Sequence, residues 1–240
     1  MVQRIDLTPF GPAPDAQTVL VVAPRLVLSC ARTAGVPLFE RQAPVHCVLV
    51  GRARVEHDGR VRHARAIALP ANTRHRVVGH DEPFAVAAYL DPRRYRFEDV
   101  AQLAAAWRDF VPGEGDLRAL FDEALALPQP AIDPRVLRAL DAMQHERLDV
   151  GAAAARVGLS RSRLAHLMTD AIGAPPRLWR LWLKLGAALG HALTTGASLT
   201  ESAHVAGFSD SAHFTRTCRR LTGVRPAMML PQTVYLSQAS

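Results

Sequence analysis

The sequence predicts an α+β chain with two domains: a small N-terminal β-barrel, then an all-α domain in which one long helix joins two helix-turn-helix units. Three observations predict this. Apolar and polar residues alternate with a period of two from Ala43 to about residue 92. Helical apolar spacing replaces that alternation afterwards. A helix-turn-helix pattern then occurs twice between residues 149 and 223. A chain of 240 residues is long enough for two small domains.

The N-terminal part has the composition of short strands. The segment from Ala43 to Arg60 is rich in β-branched residues, and His57–Gly59 has the composition of a hairpin turn. Three further strand-like runs follow up to Pro92, separated by Pro, Asn and Gly. Turn signals at intervals of roughly 8 to 12 residues are typical of small sandwiches and barrels. We therefore expect a barrel domain over residues 1–95.

A helical connector is expected over residues 96–132. Phe97–Phe110 and Gly115–Leu127 both show helical apolar spacing. Leu103, Trp107 and Phe110 are candidate anchors of a homodimer interface, although packing against the barrel explains them equally well. Asp133 followed by Pro134 is typical of an N-cap and the first residue of a helix, so the second, all-α domain is expected over residues 133–240.

Two copies of one pattern follow, each with a helix start, a turn glycine, an N-cap serine and a terminating glycine. These residues are Asp149, Gly158, Ser160 and Gly173 in the first copy and Ser198, Gly207, Ser209 and Gly223 in the second. The turn glycines favour a left-handed backbone that ends the preceding helix. Ser198 and Glu201 have the spacing of a capping box. One helix-turn-helix match is weak evidence, but two copies with matching caps predict a tandem DNA-binding domain.

The second helix of each copy has an apolar face and an opposite polar face. Leu164, Leu167 and Met168 in the first copy, and Phe214, Cys218 and Leu221 in the second, are predicted to pack inward. The predicted DNA-binding residues on the outward faces are Arg161, Ser162, Arg163, Ala165 and His166 in the first copy and Ser211, Ala212, Thr215, Arg216, Arg219 and Arg220 in the second. Arginine can contact guanine with two hydrogen bonds, so Arg216 is the candidate base reader. Arg219 and Arg220, a turn further on, are candidate phosphate contacts.

A long helix between the copies determines which DNA grooves they can reach. Arg177–Leu193 can form a helix of about 16 residues that spans about 24 Å. A recognition helix at each end could then enter two major grooves one DNA turn, about 34 Å, apart. Gly186 and Gly190 weaken this helix, and we expect them to permit close packing of neighbouring helices.

Charge and cysteine usage agree with a DNA partner and a cytoplasmic location. The net charge is +7, and residues 133–240 carry 13 Lys+Arg against 7 Asp+Glu. Cys30, Cys47 and Cys218 form no CxxC pair, so neither a disulfide framework nor a structural zinc site is expected. The N-terminal MVQRIDLTPFGP has no apolar core of a signal peptide, and Leu178–Leu193 is too short and too charged to span a membrane.

The segment Asp133 to about Pro231 resembles the DNA-binding domain of the AraC/XylS transcription regulators, above all in GFSDSAHFTR and TGVRP. The resemblance implies promoter or operator DNA as a partner and contact with RNA polymerase, and it leaves activation and repression both open. The residues that match the family's base-reading positions are Ser162, Ala165 and His166 in the first copy and Ser211, Ala212, Thr215 and Arg216 in the second. Cys218 departs from the phenylalanine that the family usually has there.

The N-terminal part is similar to the cupin-like sensor domain that often precedes this DNA-binding domain. The landmarks are His46, Gly51, Gly59, Pro70 and His75. The resemblance implies a small-molecule effector, with His46 and His75 as candidate effector-binding residues, although both could have no special role. No HxH pair occurs, and we expect no metal, cofactor or catalytic residues. The alternatives are a metal-dependent cupin-type enzyme with a helical assembly domain and a non-specific architectural DNA-binding protein.

Overall fold

A computed structural model describes residues 18–23, 25–34, 40–229 and 233–236. The N-terminal residues MVQRIDLTPFGP lie outside this range. The strands are β1 Thr18–Ala23, β2 Leu26–Arg32, β3 Glu40–Arg41, β4 His46–His57, β5 Arg60–Leu69, β6 His75–His80, β7 Phe84–Leu90 and β8 Thr233–Leu236. The helices are α1 Phe97–Ala106, α2 Leu117–Leu125, α3 Pro134–His145, α4 Val150–Arg156, α5 Arg161–Ile172, α6 Pro176–Thr195, α7 Leu199–Val205, α8 Ser211–Thr222 and α9 Pro226–Met229, with a short 3-10 turn at Trp107–Asp109.

The N-terminal strands form one bent sheet around the long strand β4. The first half of β4 pairs with β7 and its second half with β6, while β5 pairs along both halves. A β-bulge between Val50 and Ala53 separates the halves, and there Gly51 has a φ of +117°. Such a bulge bends a strand and lets one sheet curl into a barrel. The hairpin at His57–Gly59 is confirmed, with positive φ at Asp58 and Gly59.

Alternate side chains of β4 enter two different cores. Val48 and Val50 pack with β2, β7, α1 and α2, whereas Cys47 and Leu49 pack with β5 and β6. Leu103 and Trp107 are buried in the first of these cores, and Phe110 packs against it. The structure therefore favours packing on the barrel over a dimer interface for these three residues.

Strands at both ends of the chain extend the sheet beyond the predicted segment. Strands β1, β2 and β3 were not predicted from the sequence. Thr233–Leu236 pairs in parallel with β1, so this terminal strand joins the N-terminal sheet, although the sequence analysis groups it with residues 133–240.

The helical part contains two separate cores. In the first, α3, α4 and α5 pack together with Ala43, Val45 and Trp179, and Tyr89 of β7 packs against it. In the second, α6, α7 and α8 pack together, and no buried residue of this core among those described comes from the barrel. Trp182 packs against both cores, and its ring lies 5.9 Å from that of Tyr89. The barrel thus contributes buried residues to the core of the first helix-turn-helix unit.

A buried ion pair reinforces the contact between the barrel and the first unit. Arg93 follows β7 and holds the carboxylate of Asp91, with Nη2 and Oδ2 2.7 Å apart. The same guanidinium donates to Gln144 of α3 at 3.1 Å and lies 5.0 Å from the ring centre of Trp179. The buried charge is thereby paired and hydrogen-bonded, which a buried arginine requires.

All three cysteines are buried and reduced. Burial raises the pKa of the Cys218 thiol to about 12. Cys218 packs with Phe214 and Leu221, as predicted, so it is a core residue of α8 rather than a reactive thiol. No helix among residues 18–23, 25–34, 40–229 and 233–236 has the length and hydropathy needed to cross a membrane.

Candidate DNA-binding surface

The first helix-turn-helix unit consists of α4, a turn and α5. The Asp149 side chain caps α4 by accepting from the N–H groups of Gly151 and Ala152. Gly158 ends the unit's first helix with a φ of +68°, and the Ser160 hydroxyl then caps α5 by accepting from Arg163 N. These caps satisfy N–H groups that would otherwise lack a partner at the helix starts. The predicted cap residues of the first copy are therefore confirmed.

The second unit consists of α7, a turn and α8, and here the predicted cap of α8 was wrong. Ser198 caps α7 as expected, accepting from Glu201 N at 3.2 Å. The residue that caps α8 is Asp210 rather than Ser209, with Oδ1 2.6 Å from the N–H of His213. Ser209 instead donates to the Asp210 carboxylate. Asp210 lies the same number of residues before Gly223 as Ser160 does before Gly173, so the extra residue of the second copy lies in the turn.

Both second helices turn their predicted apolar residues inward. Leu164 and Met168 of α5 are fully buried, and Phe214, Cys218 and Leu221 of α8 are nearly so. Gly173 and Gly223 end these helices in the left-handed conformation, as predicted. The orientation of each helix about its own axis is therefore fixed by its core, which determines the face that points outward.

The outward faces carry the residues that the sequence nominated. On α5, Arg161, Ser162, Arg163 and His166 are exposed and Ala165 is half-buried. On α8, Ser211, Ala212, Arg216 and Arg220 are exposed, and Thr215 and Arg219 are half-buried. Each helix thus presents a mixture of small, polar and cationic side chains to solvent, a composition suited to base edges and phosphates.

The helix between the units is longer than predicted. It runs from Pro176 to Thr195, 20 residues, or about 30 Å at 1.5 Å per residue. Pro176 occupies its first turn, and Gly196 ends it with a φ of +72°. The expected role of Gly186 and Gly190 was wrong, because a Cβ placed at either residue would have no heavy atom within 4 Å.

Lys184 of α6 contacts the turn of the second unit, a contact that sequence reasoning missed. Its Nζ donates to the carbonyl of Gly207 at 2.6 Å and lies 5.8 Å from the ring centre of Phe208. The ammonium group satisfies a carbonyl at the end of α7, where a cation is favoured. The one sequence signal for this contact was that Lys184 is the only lysine in the sequence.

The two histidines nominated for effector binding are buried and fully hydrogen-bonded. His46 is 7% exposed; its Nδ1 accepts from Ala71 N at 3.0 Å, so Nε2 carries the proton and donates to the Tyr95 carbonyl at 3.2 Å. His75 is 4% exposed; its Nε2 accepts from Arg41 Nε at 2.7 Å, so Nδ1 donates to the Thr73 carbonyl at 3.0 Å.

Both rings are held neutral by their surroundings. Burial lowers the pKa of His46 to about 4. Burial and then the charge of Arg41 lower the pKa of His75 to about 3. Each imidazole is therefore a fixed donor and acceptor at neutral pH.

A cleft of about 570 Å³ opens beside His75 at the outer end of the β4–β5 hairpin. It is lined by Glu40, Glu56, His57, Asp58, Gly59, Arg74, His75 and Arg76. The lining is mostly charged, so the cleft suits a polar molecule better than an apolar one. Within the described part of the chain, no group of three or more His, Cys, Asp or Glu side chains is arranged to hold a metal ion.

Comparisons with known proteins agree with this architecture. A family model described as "Helix-turn-helix domain" matches residues 153–231. The transcriptional activator NphR from Rhodococcus sp is 33% identical over 95 residues, which are 39% of this chain and 28% of that protein. The chain thus matches less than a third of the length of this relative.

Solved structures of ToxT from Vibrio cholerae share the fold over both domains. One is 10% identical with a TM-score of 0.52, covering 87% of this chain and all of that one. Another, wild-type ToxT bound to an unsaturated fatty acid, is 9% identical with a TM-score of 0.53, covering 86% of this chain and 96% of that one. At these identities the likeness shows the fold alone, and it confirms the predicted barrel followed by tandem helix-turn-helix units.

The fold thus joins a barrel to two capped helix-turn-helix units, each with an exposed polar face on its second helix. Residues 153–231 match a helix-turn-helix domain family, and the chain is similar over 95 residues to a transcriptional activator.

Proposed function

We propose that the protein is a sequence-specific regulator that places α5 and α8 in two successive major grooves of double-stranded DNA. The observation that carries this proposal is the pair of exposed polar faces on two helices whose inward faces are fixed in separate cores. The α6 helix between them is comparable in length, about 30 Å, with one turn of DNA, about 34 Å.

The outward residues divide into two roles. Arg216, exposed on the first turns of α8 beside Ser211, Ala212 and Thr215, is the proposed base reader. Ser162, Ala165 and His166 are its counterparts on α5. Arg219 and Arg220, near the C-terminal end of α8, contact phosphates in this proposal, as do Arg161 and Arg163 at the start of α5.

The barrel is the proposed effector domain, with His46 and His75 as the residues that an effector influences. His75 lines the charged cleft, which supports its role, whereas His46 acts through the Ala71 N–H. ToxT, with the same fold, was solved with a fatty acid bound, which supports a ligand-binding use of such a chain.

The regulatory setting rests on resemblance to AraC/XylS regulators. In this proposal the protein is cytoplasmic, contacts RNA polymerase and has a homodimer as its candidate assembly, and the similarity to the activator NphR supports activation as the outcome. In this proposal the protein is not an enzyme. The family comparisons favour this function over the metal-dependent cupin-type enzyme considered in the sequence analysis.

Selection of bound sequences from a random DNA pool tests the proposal. We expect one enriched site with two sequence boxes about one helical turn apart, bound at least about 10³-fold more tightly than random DNA at physiological salt. A non-specific architectural DNA-binding protein would enrich no particular sequence in this selection. Repeating the selection with a panel of metabolites tests for an effector, whose binding would change the affinity for the selected site.

Two arginine variants then separate base reading from phosphate contact. Arg216→Ala should cost about 1–3 kcal/mol of binding free energy and relax the base preference at one position. Arg220→Ala should weaken binding to all sequences alike. The slope of log K against log salt concentration should become shallower by an amount that corresponds to about one phosphate contact. Arg118→Ala, at an exposed position of α2, is the matched control. Unchanged binding of Arg216→Ala to the selected site would show that the assigned face of α8 is wrong.

A further inference from the structure

Both recognition helices end against the barrel. At the end of α5, a Cβ placed on Gly173 would lie 3.5 Å from the Cβ of Ala71, which is ordinary van der Waals contact. At the end of α8, the carbonyl of Arg220 accepts from Gln42 N at 2.7 Å, and the carbonyl of Thr222 accepts from Arg41 Nη1 at 3.3 Å. The barrel therefore contacts α5 and α8 at the same end.

The two barrel segments that make these contacts are bonded to each other. The N–H of Asn72 donates to the carbonyl of Ala43 at 2.7 Å, and Gln42 Nε2 donates to Asn72 Oδ1 at 2.9 Å. We call residues 41–43 together with residues 71–72 the clasp. Because its two halves are hydrogen-bonded, a shift of one half displaces the other.

Each half of the clasp is held from inside the barrel by one buried histidine. His46 accepts the Ala71 N–H on the α5 side, and His75 accepts Arg41 Nε on the α8 side. Neither ring can move without releasing a group that contacts a recognition helix.

The contact between Arg41 and the end of α8 costs free energy because the charge of Arg41 is buried. Arg41 is 9% exposed, and its Nη2 has no hydrogen-bond partner. Among the described residues, no carboxylate forms an ion pair with it; its other partners are the neutral His75 ring, the Tyr89 hydroxyl and the Thr222 carbonyl. The negative end of the α8 dipole compensates the buried charge of Arg41. A buried cation paired in this way stabilises a fold poorly, so its value lies in fixing the position of α8.

We propose that the clasp sets the placement of α8 relative to α5, and that Arg41, His75 and His46 are positioning residues for DNA binding. This inference rests on the proposed function and adds its means of regulation. The predicted DNA-binding faces of both helices remain exposed beside the clasp, so the barrel acts on their relative placement rather than by covering them. An effector that takes over the hydrogen bond between His75 and Arg41 would release the α8 side of the clasp.

The test measures how strictly the protein requires the native spacing between the two DNA boxes. Full-length protein is titrated with the selected site, with sites one base pair longer or shorter, and with the α8 box alone. For the wild type, a spacing error should weaken binding by about 10-fold or more, comparable with the loss of a matched base pair. In Arg41→Met this penalty should fall to about 3-fold or less, with affinity for the single α8 box unchanged within about 2-fold.

Paired histidine variants distinguish positioning from general damage. His75→Gln keeps an acceptor for Arg41 and should retain the wild-type spacing penalty, whereas His75→Leu removes it and should behave like Arg41→Met. Arg118→Met is the control, because this arginine is exposed on α2 and pairs with Asp122 of the same helix.

The outcomes separate the clasp from the proposed function. If Arg41→Met and His75→Leu both keep the wild-type spacing penalty, the clasp does not position α8. Equal losses on the single box and on the full site would also overturn the inference, because the effect would then be local to α8. Failure of the wild type to select any site would instead overturn the proposed function.

Discussion

Lowering the pH from 7 to 5 should remove about 4 kcal/mol of the free energy of unfolding through His46 and His75, which are buried as neutral rings. Burial also lowers the pKa of His80, which adds to this loss. The folded pKa values of His46 and His75, about 4 and about 3, lie below the unfolded value of 6.5. Between those values the unfolded chain binds more protons than the folded one, so stability rises with pH. The contribution is thus fully present above pH 6.5 and is lost as the pH falls. At pH 5 each ring accounts for about 2 kcal/mol, at about 1.36 kcal/mol per pH unit.

Urea unfolding at pH 7 and pH 5, followed by tryptophan fluorescence and extrapolated linearly to water, measures this loss. The double variant His46→Asn and His75→Gln keeps an acceptor for each buried partner and cannot titrate, so it should lose about 4 kcal/mol less than the wild type over this range. His166→Gln, at an exposed position, should lose as much as the wild type. Equal losses in the double variant and the wild type would refute the reasoning.

The carboxylates that cap helices do not interfere in this pH range. Their hydrogen bonds lower the pKa of Asp133 to about 2 and also lower the pKa of Asp149 and Asp210. These three groups therefore stay ionised from pH 7 to pH 5. Their stabilisation is present above the unfolded pKa of 3.8 and is lost only as the pH falls through the lower folded values.

Two further predictions concern stability at pH 7, measured by the same urea method. Gly223→Ala should cost about 1–2 kcal/mol because the residue has a φ of +79°, whereas Gly186→Ala, at an exposed helical position with open space around it, should stabilise by up to about 1 kcal/mol. Asp91→Asn should cost about 3–5 kcal/mol because it leaves the Arg93 guanidinium buried without a full counter-charge. A loss of stability no larger than that expected for an exposed ion pair would contradict the burial of the Asp91–Arg93 pair.

The tandem domain could be predicted from the sequence because its signals are local. Each cap and each left-handed glycine depends on residues within one turn, and the inward faces follow from the helical period. The wrong prediction of Ser209 as the N-cap of α8 also concerns a local signal. Two residues able to cap stand side by side there, and alignment from Gly207 favoured the serine, whereas alignment from Gly223 would have favoured Asp210. The length of α6 could likewise have been read from Pro176 and Gly196.

The contacts between domains could not be predicted, because each joins residues far apart in the chain. Arg41 meets the Thr222 carbonyl across 181 residues, and its sequence neighbourhood resembles any strand edge. The N-cap of a helix has a residue-type signature, whereas an arginine that compensates the end of a distant helix has none. His46 and His75 were selected by resemblance alone, and their link to the clasp emerged only from hydrogen-bond partners.

The division of the cores indicates which recognition helix can move. Ala43 and Val45 of the barrel lie in the same core as α3, α4 and α5, so displacing α5 would open a packed interior. Among the described residues, those buried in the core around α8 come from the segment α6 to α8, and the barrel reaches this core through Tyr89, whose ring lies 5.9 Å from that of Trp182. The second unit is held to the barrel by polar contacts at Arg41 and Gln42 and by the pairing of β8 with β1, and the contacts at Arg41 and Gln42 can break without creating a cavity. A signal from the barrel should consequently change the reading by α8 more than the reading by α5, and base preferences in the α8 box should be the more sensitive to substitutions in the clasp.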